Sequence, residues 1–321
     1  STGWQRARCL RLPRRRRQRA RCAVRSADPA LRAARWLAAV PALFVLIWST
    51  GFIVAKLAAP HAPPLGFLLL RFAGVVAVLL PVAWVMRAPW PRGPRAWMQV
   101  AVSGVLLQAT YLGGVWAAIK LGMPAGVSAL IVGAQPLLTA ALVHGAGSRV
   151  GGREWTGLLA GFAGIVLVLS DRITLSGVGP AAIALNLLAL AGITAGTLWQ
   201  KRHGAAVDLR TGAIVQFSAS FVVLLPLALA FETLSFDLVW EFWVALVWSV
   251  LALSIVAIFL LLTMIRHGRA TQVASYMYLT PPMTALMAWA VFGETLGVLA
   301  WAGVLLTMAG VALVVTRKDR A

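Results

Sequence analysis

Ten long apolar segments, joined by short connections, constrain this chain more than any other feature of its 321 residues. A helix needs about 20 mostly apolar residues to cross the roughly 30 Å hydrocarbon layer of a membrane. Each segment is about that long, and no connection is long enough to hold a soluble domain. The predicted spans are 37–56, 65–86, 97–118, 123–143, 153–169, 178–199, 212–231, 242–264, 270–291 and 297–315. The sequence therefore predicts an all-α integral membrane protein with ten transmembrane helices.

The positive charges of the chain follow the connections rather than the spans. There are 29 Lys and Arg residues against 9 Asp and Glu. With the N-terminus in the cytoplasm, 25 of these 29 fall on the cytoplasmic side, which is the positive-inside distribution of membrane proteins. We therefore expect a multi-pass protein of the cell inner membrane with both termini in the cytoplasm. Nucleic acid is not an expected partner, because the net charge of +20 is then a topology signal.

An internal repeat divides the chain. Residues 119–168, laid over 265–314, give 13 identities, among them Pro136 with Pro282. Each half holds five spans, an odd number, so the second half must enter the membrane inverted, as in many secondary transporters. The same identities include Gly157 with Gly303 and Gly164 with Gly310, and an offset of 145 residues aligns the earlier helices, pairing Phe72 with Phe217. The predicted domains are a disordered Arg-rich cytoplasmic tail (1–36), a first five-helix repeat (37–171), a second, inverted five-helix repeat (172–317) and a cytoplasmic C-terminus (318–321).

Polar side chains within the spans recur at helical spacing, which places them on shared helix faces. A polar group facing hydrocarbon costs free energy, so these faces are expected to meet protein or a cavity. The candidate residues for lining a substrate cavity are Trp48, Ser49, Gln108, Tyr111, Gln135, Asn186, Thr194, Tyr276 and Thr280. The alternative for them is hydrogen bonding between helices or, for the Ser and Thr, to the preceding turn of their own helix.

Four further residues are candidates for gating or for attracting charge. Arg71 is the charge inside a predicted span. Lys56 lies nearby at the outer end of the first span, and Lys120 lies just beyond the outer end of the third. Arg71 either anchors its helix or attracts substrate. Pro136 and Pro282 each remove one backbone hydrogen bond from a span, which predicts a site of bending or, alternatively, a static kink.

The titratable residues argue against a catalytic or metal centre. All four His and all nine carboxylates lie in tails, in loops or at span ends, and no glycine loop of the phosphate-binding type is present. We therefore expect no cofactor and no metal, and neutral, zwitterionic or anionic substrates rather than cations. A cation–π cage of Trp48 and Tyr276 is the alternative for cations. A small-molecule transporter is the expected function; a membrane-embedded enzyme or a receptor-like protein is the alternative.

Four short motifs carry a family resemblance: WSTGF at 48–52 with Lys56, LRF at 70–72, YLTPP at 278–282 and GETL at 293–296. With the paired glycines listed above, they make residues 37–317 resemble the EamA family of the drug/metabolite transporter superfamily. The resemblance implies ten helices, a central cavity formed by helices 1, 3, 4, 6, 8 and 9, and export of small metabolites such as amino acids. Ser148 stands where the family usually has Glu, and Thr280 where a bulkier or acidic residue often stands. These two departures affect the expected substrate and not the fold.

Overall fold

The computed structural model describes residues 39–51, 54–55, 57–123, 125–147, 150–170, 178–204, 207–267, 270–292 and 297–315. These residues are helical or lie in turns and loops, without a strand among them. Eight helices in the described ranges are long and apolar enough to cross a membrane, and Ala39–Gly51 is apolar but shorter. The prediction of an all-helical membrane protein is confirmed, while the count of ten spans stays a prediction. The predicted tail, Lys56 and Ser148 lie outside the described residues.

We number the helices in chain order. They are α1 (Ala39–Gly51), α2 (Pro64–Val85), α3 (Pro94–Lys120), α4 (Ala125–Gly133, continued by Gln135–Gly145), α5 (Gly152–Leu169), α6 (Pro180–His203), α7 (Leu209–Phe231), α8 (Trp240–His267), α9 (Ala270–Tyr276, continued through Met277–Leu279 to Thr280–Phe292) and α10 (Val298–Val315). Three of them begin on a proline, whose missing N–H has no helical partner at that position. All contacts described below lie within the compact unit that begins at Leu43.

Large apolar side chains cover the outside of this unit. Trp84 at the end of α2 is 82% exposed, and Val298 at the start of α10 is 87% exposed. A soluble protein rarely exposes apolar patches of this kind without a partner. Lipid is the partner that fits helices of this length and composition, so the outward side chains are the surface in contact with the bilayer.

Helices α2 and α7 pack against each other at the centre of the fold. The rings of Phe72 and Phe217, both fully buried, lie 5.5 Å apart. These two residues are an aligned pair in the internal repeat. Each helix also contains a proline, Pro81 in α2 and Pro226 in α7, about one helical turn before its C-terminal end. The two helices are therefore similar in sequence at the place where they touch.

Helices α5 and α10 approach so closely that their backbones are in contact. A Cβ atom on Gly157 would lie 2.7 Å from the carbonyl oxygen of Gly310. In return, a Cβ atom on Gly303 would lie 2.6 Å from the carbonyl oxygen of Gly164. Gly157 aligns with Gly303, and Gly164 aligns with Gly310. The contact between Gly157 and Gly310 is therefore repeated, with the two halves exchanged, by the contact between Gly303 and Gly164. Reciprocal contacts of this kind are typical of two surfaces related by a twofold axis.

Two helices contain a π-helical segment in their middle. The segment in α3 covers Val105–Gly113, and the one in α8 covers Ser249–Val256. The second covers nearly the stretch that an offset of 145 residues from the first predicts. π-Helical turns are rare and occur frequently at functional sites, because they widen the helix and re-aim its side chains.

Two other helices are interrupted just before their prolines. In α4 the helix breaks at Ala134, two residues before Pro136. In α9 a 3₁₀ turn, Met277–Leu279, precedes Pro282. A proline cannot donate to the preceding turn, and its ring crowds the carbonyl four residues back, which accounts for the interruption at both places.

The start of α2 and the ends of α3 and α7 are joined by one buried carboxylate. Glu232 accepts hydrogen bonds from the backbone N–H groups of Leu65 (3.1 Å) and Gly66 (2.8 Å) at the start of α2. The Nζ atom of Lys120, at the end of α3, lies 3.3 Å from the same carboxylate. A negative charge is favourable at a helix N-terminus because the unpaired N–H groups there carry partial positive charge. Glu232 therefore fixes three helix ends with a single side chain.

Candidate functional site

Six helices enclose a small cavity. Its lining residues are Trp48 (α1), Leu107, Gln108 and Tyr111 (α3), Gln135 (α4), Ile193 and Thr197 (α6), Ile258 and Leu261 (α8), and Val273, Ala274 and Met277 (α9). These are the helices that the family resemblance implied. The volume open to the centre of a water-sized sphere is about 10 Å³, which is roughly the room that one water molecule needs. The cavity is therefore closed around little more than a solvent molecule.

Two glutamine side chains bring unsatisfied polar atoms to this cavity. Gln108 and Gln135 are 1% and 2% exposed. The Gln108 Nε2 group and the Gln135 Oε1 atom have no hydrogen-bond partner. Leaving a buried donor or acceptor unpaired costs about 1–3 kcal/mol, so such atoms are uncommon without a reason. One donor and one acceptor in the lining of one cavity are suited to a small polar ligand.

The aromatic residues of the cavity are held by their own helices. Trp48 packs against Phe44 one turn earlier, with ring centroids 5.1 Å apart. Tyr111 lies in the π segment of α3, three residues after Gln108, so the widened turn positions both side chains. Gln135 is the first residue of α4 after its break. Each predicted polar residue on the cavity thus lies on or beside an irregular piece of helix, apart from Trp48.

The structure places the other predicted cavity residues outside the lining. The hydroxyls of Ser49 and Thr194 donate to Val45 O (2.6 Å) and Leu190 O (2.7 Å), one turn earlier. Asn186 is fully buried in α6, with both amide atoms unpartnered. Back-bonding, the alternative considered from the sequence, accounts for the first two residues.

Tyr276 and Thr280 also lie away from the lining, on α9. Tyr276 packs beside the apolar cluster that contains Leu158 and Tyr278. Thr280 is buried, and its hydroxyl has no partner. Trp48 is among the lining residues and Tyr276 is not, and a cation–π cage of the two stays a prediction. A role in substrate binding for these α9 residues stays a prediction.

Arg71 lies buried in α2 and is only 6% exposed. Its Nε group donates to Ser254 Oγ in the π segment of α8 at 2.6 Å. The Tyr111 side chain, which lines the cavity, is close enough to interact with its charge. Lys120, in contrast, is paired with Glu232, so its charge is already compensated. From the sequence, Arg71 and Lys120 are both expected to attract substrate. In the described part of the chain, Arg71 is the one of the two without a counter-charge.

The apolar residues of the cavity lining could not be predicted from the sequence. Ile258, Leu261, Val273 and Met277 have the same character as their neighbours in the spans, and only the tertiary structure distinguishes them. Thr197 shares a helix face with Asn186 and Thr194 in the sequence, but it alone reaches the cavity. Its hydroxyl donates to Ile193 O at 2.7 Å, so it presents mainly its methyl group as a lining surface.

A lipid-facing helical protein in which six helices enclose a largely apolar cavity with a few polar side chains has the plan of a membrane transporter. Comparison with known proteins agrees with that class. The chain belongs to the EamA-like transporter family, which matches residues 35–170 and again residues 180–316. This confirms the family resemblance carried by the short motifs.

Several relatives are named as transporters. The "Uncharacterized inner membrane transporter YedA" of Escherichia coli (strain K12) is 29% identical over 280 residues, covering 86% of this chain and 90% of the relative. The "Uncharacterized transporter YvbV" of Bacillus subtilis (strain 168) is 28% identical over 289 residues, with the same coverage. A "Probable amino-acid metabolite efflux pump" of Escherichia coli (strain K12) is 25% identical over 164 residues, 50% of this chain and 52% of that protein. These names support a multi-pass transporter of the inner membrane.

A solved crystal structure has the same fold. It superposes with a TM-score of 0.73 at 19% sequence identity, covering 89% of this chain and 99% of the other. At this level of identity the likeness concerns the fold alone. It extends over nearly the whole described chain, including both halves.

Proposed function

We propose that this protein is a secondary transporter that exports amino acids or similar small neutral, zwitterionic or anionic metabolites by alternating access. The observation that carries the proposal is the pair of unsatisfied glutamine amides, Gln108 and Gln135, in a cavity enclosed by six helices. Three of these helices, α1, α3 and α4, belong to the first predicted half, and α6, α8 and α9 belong to the second. A site between two halves is where an alternating-access transporter binds its substrate.

The proposed architecture is ten spans in two inverted five-helix repeats, with both termini in the cytoplasm. The reciprocal glycine contacts of α5 and α10 support it, because counterparts in the two halves meet one another. The two separate matches to the family support the same division. Helices α1 and α9 would supply the two spans that complete the eight long ones.

The proposed substrate class follows from the polar groups available. As far as the chain is described, the lining of the cavity contains no carboxylate, so a bare cation would meet no counter-charge there. Amides, a tyrosine hydroxyl and a tryptophan can bind groups that both donate and accept hydrogen bonds. One relative is named a probable amino-acid metabolite efflux pump, which supports amino acids as the first candidates.

Alternating access requires the closed cavity to open. A volume of about 10 Å³ is too small for an amino acid, so its walls must separate to admit one. The interruptions before Pro136 and Pro282 lie in α4 and α9, both of which line the cavity. Because fewer hydrogen bonds hold a helix straight at such a break, we propose that the bending occurs there.

A flux assay tests the proposed function. Purified protein is reconstituted in liposomes preloaded with a mixture of the twenty amino acids, and the release of each is followed by mass spectrometry. We expect faster release of at least one amino acid than from protein-free liposomes, and loss of most of that release in the Gln108→Ala/Gln135→Ala double variant. Glu294, the acid of the GETL motif, serves as the control for a carboxylate that binds cations. Proton-driven export of a quaternary ammonium dye that is unchanged in Glu294→Gln would instead contradict the proposed substrate class.

A further inference from the structure

Arg71 has far more hydrogen-bonding capacity than its surroundings use. A guanidinium carries five N–H donors and stays charged in proteins. Among the described residues its one hydrogen bond is from Nε to the neutral hydroxyl of Ser254, at 2.6 Å. Within the described residues no carboxylate forms an ion pair with Arg71, although it is 6% exposed. A charge in a span costs up to about 2.5–3.5 kcal/mol on insertion scales, the full cost applying at mid-membrane, so a buried span charge without a counter-ion is unusual.

The fold itself does not need this charge. Gln216 occupies the aligned position of the second half, in α7, and is 1% exposed. Its Nε2 group donates to Ser103 Oγ in α3 and to Gln200 Oε1, both at 3.0 Å. Thus α2 bonds a serine of α8 through Arg71, and α7 bonds a serine of α3 through Gln216. A neutral amide is sufficient for one of these two helix contacts, so packing alone does not explain the charge at the other.

The hydrogen bond of Arg71 leads to a helix that lines the cavity, because Ser254, which accepts it, lies four residues before the lining residue Ile258 on α8. Tyr111 lines the cavity and interacts with the charge of Arg71. Gln108, three residues earlier on the same π segment, offers its unpaired Nε2 donor to the cavity. Arg71 and Gln108 can only donate hydrogen bonds through these nitrogens, and the tyrosine hydroxyl can also donate. This side of the cavity is therefore rich in donors, which is the chemistry that recognises the oxygen atoms of an anion.

We propose that Arg71 binds the carboxylate of the substrate when the cavity opens, with Tyr111 and Gln108 as neighbouring donors. This assignment rests on the proposed function and narrows it to substrates that carry a carboxylate. A carboxylate fits because the planar guanidinium can donate two parallel hydrogen bonds to its two oxygens. The amino group of an amino acid would then face the side of the cavity where Gln135 Oε1 accepts.

The test compares acids with their amides. Liposomes containing the protein are preloaded either with the twenty amino acids or with the corresponding α-amides, in which a neutral group replaces the carboxylate. The key variant is Arg71→Gln, which installs the residue type found at the aligned position. Lys120→Gln is the matched control, since it also removes a positive charge from the same region but from a residue already paired with Glu232.

We expect Arg71→Gln to slow export of the transported amino acids at least about tenfold, as loss of a charge-assisted hydrogen bond predicts. Export of the amides should change less than about twofold, and Lys120→Gln should leave the ratio of acid to amide unchanged. An equal loss for acids and amides, or no loss for either, would overturn the assignment while leaving the proposed transport intact. Absence of export of both sets by the wild-type protein would overturn both proposals.

A measurement on the wild-type protein covers the case in which Arg71→Gln does not reach the membrane. Export of a labelled amino acid is measured with unlabelled competitors of the same side chain, either the 2-oxo acid, which keeps the carboxylate, or the amine, which lacks it. We expect the 2-oxo acid to inhibit and the amine not to. Stronger inhibition by the amine would contradict a carboxylate site at Arg71.

Discussion

At the scale of single residues, the cavity glutamines put stability and activity in opposition. Each leaves one buried amide atom unpaired, at a cost of about 1–3 kcal/mol. A leucine at either position would be close in volume and would not carry that cost. The protein thus keeps two residues that weaken its packing, and a substrate that completes their hydrogen bonds gives the physical reason.

We predict that Gln135→Leu reduces export about tenfold, because one hydrogen bond to the substrate is worth roughly 1 kcal/mol or slightly more. Thermal stability in detergent should stay equal or rise, since an unsatisfied amide is removed. Thr263→Val is the control on α8, because that hydroxyl donates only to Phe259 O (2.7 Å) within its own helix. Activity and stability falling together in Gln135→Leu would show that the residue serves packing.

A second prediction concerns Asp208, which caps the start of α7 and accepts from Arg210 N at 2.9 Å. The side-chain hydrogen bond from Arg210 lowers the pKa of Asp208 below its usual value. The stabilisation is therefore present above the pKa of the unfolded chain and is lost as the pH falls through the lower folded value. We expect Asp208→Ala to unfold at a lower temperature than wild type at pH 7 and to lose that difference towards pH 3. A difference that is independent of pH would contradict the ionised cap.

The sequence was informative about the site only where a residue was conspicuous. Six predicted residues are aromatic or carry an amide in an apolar span. Four of them line the cavity (Trp48, Gln108, Tyr111 and Gln135), and two do not (Asn186 and Tyr276). Ser49 did not distinguish itself in the same way, because a hydroxyl can satisfy itself within its own helix and gives no direction. The apolar lining carried no signal, since hydrocarbon-facing and cavity-facing leucines have the same composition.

At the scale of helices, the long spans and the two proline breaks could be predicted, whereas the π segments could not. Span length follows from membrane thickness and is written in composition. The breaks in α4 and α9 follow from Pro136 and Pro282. The π segments Val105–Gly113 and Ser249–Val256 have no such marker, because an extra residue in a helical turn is accommodated by tertiary contacts.

The contact of α5 with α10 predicts a sharp difference between two glycines of one helix. A Cβ atom on Gly164 would lie 2.7 Å from the Gly303 carbonyl oxygen, and backbone cannot yield as a side chain can. We expect Gly164→Ala to lower stability by about 1–3 kcal/mol through overpacking, measured by thermal unfolding in detergent. Gly152→Ala, where nothing lies within 4 Å, should be neutral or slightly stabilising. Equal behaviour of the two variants would mean that the helices are not in backbone contact.

At the scale of the whole molecule, contacts between connections indicate which of them share a face. The hydroxyl of Thr211 at the start of α7 donates to Pro89 O at 2.8 Å, so the connection after α2 meets the start of α7, which follows the connection after α6. At the other end, Asp237 N donates to His61 O at 2.9 Å. These two groups of connections are the ones that the distribution of Lys and Arg assigns to opposite sides of the membrane.

Labelling of single cysteines in a background with Cys9 and Cys22 replaced by Ser tests this assignment. Arg92→Cys and His203→Cys should be protected from an impermeant maleimide added to intact cells, because we expect both on the cytoplasmic side. Pro63→Cys and Asp237→Cys should react. Labelling of Arg92→Cys but not His203→Cys would contradict both the orientation and the number of spans between them.

The glycine contact of α5 and α10 also sets how freely these helices can change during divergence. On α10, Leu305 and Met308 are 67% and 55% exposed, and any apolar side chain can replace them in lipid. Gly303 and Gly310 lie at the seam between the two helices, where each faces the backbone of α5, and no side chain fits at either position. Substitutions should therefore accumulate on the lipid side and be removed at the seam. In such a helix the smallest residues are the slowest to drift, because the space they leave is already occupied.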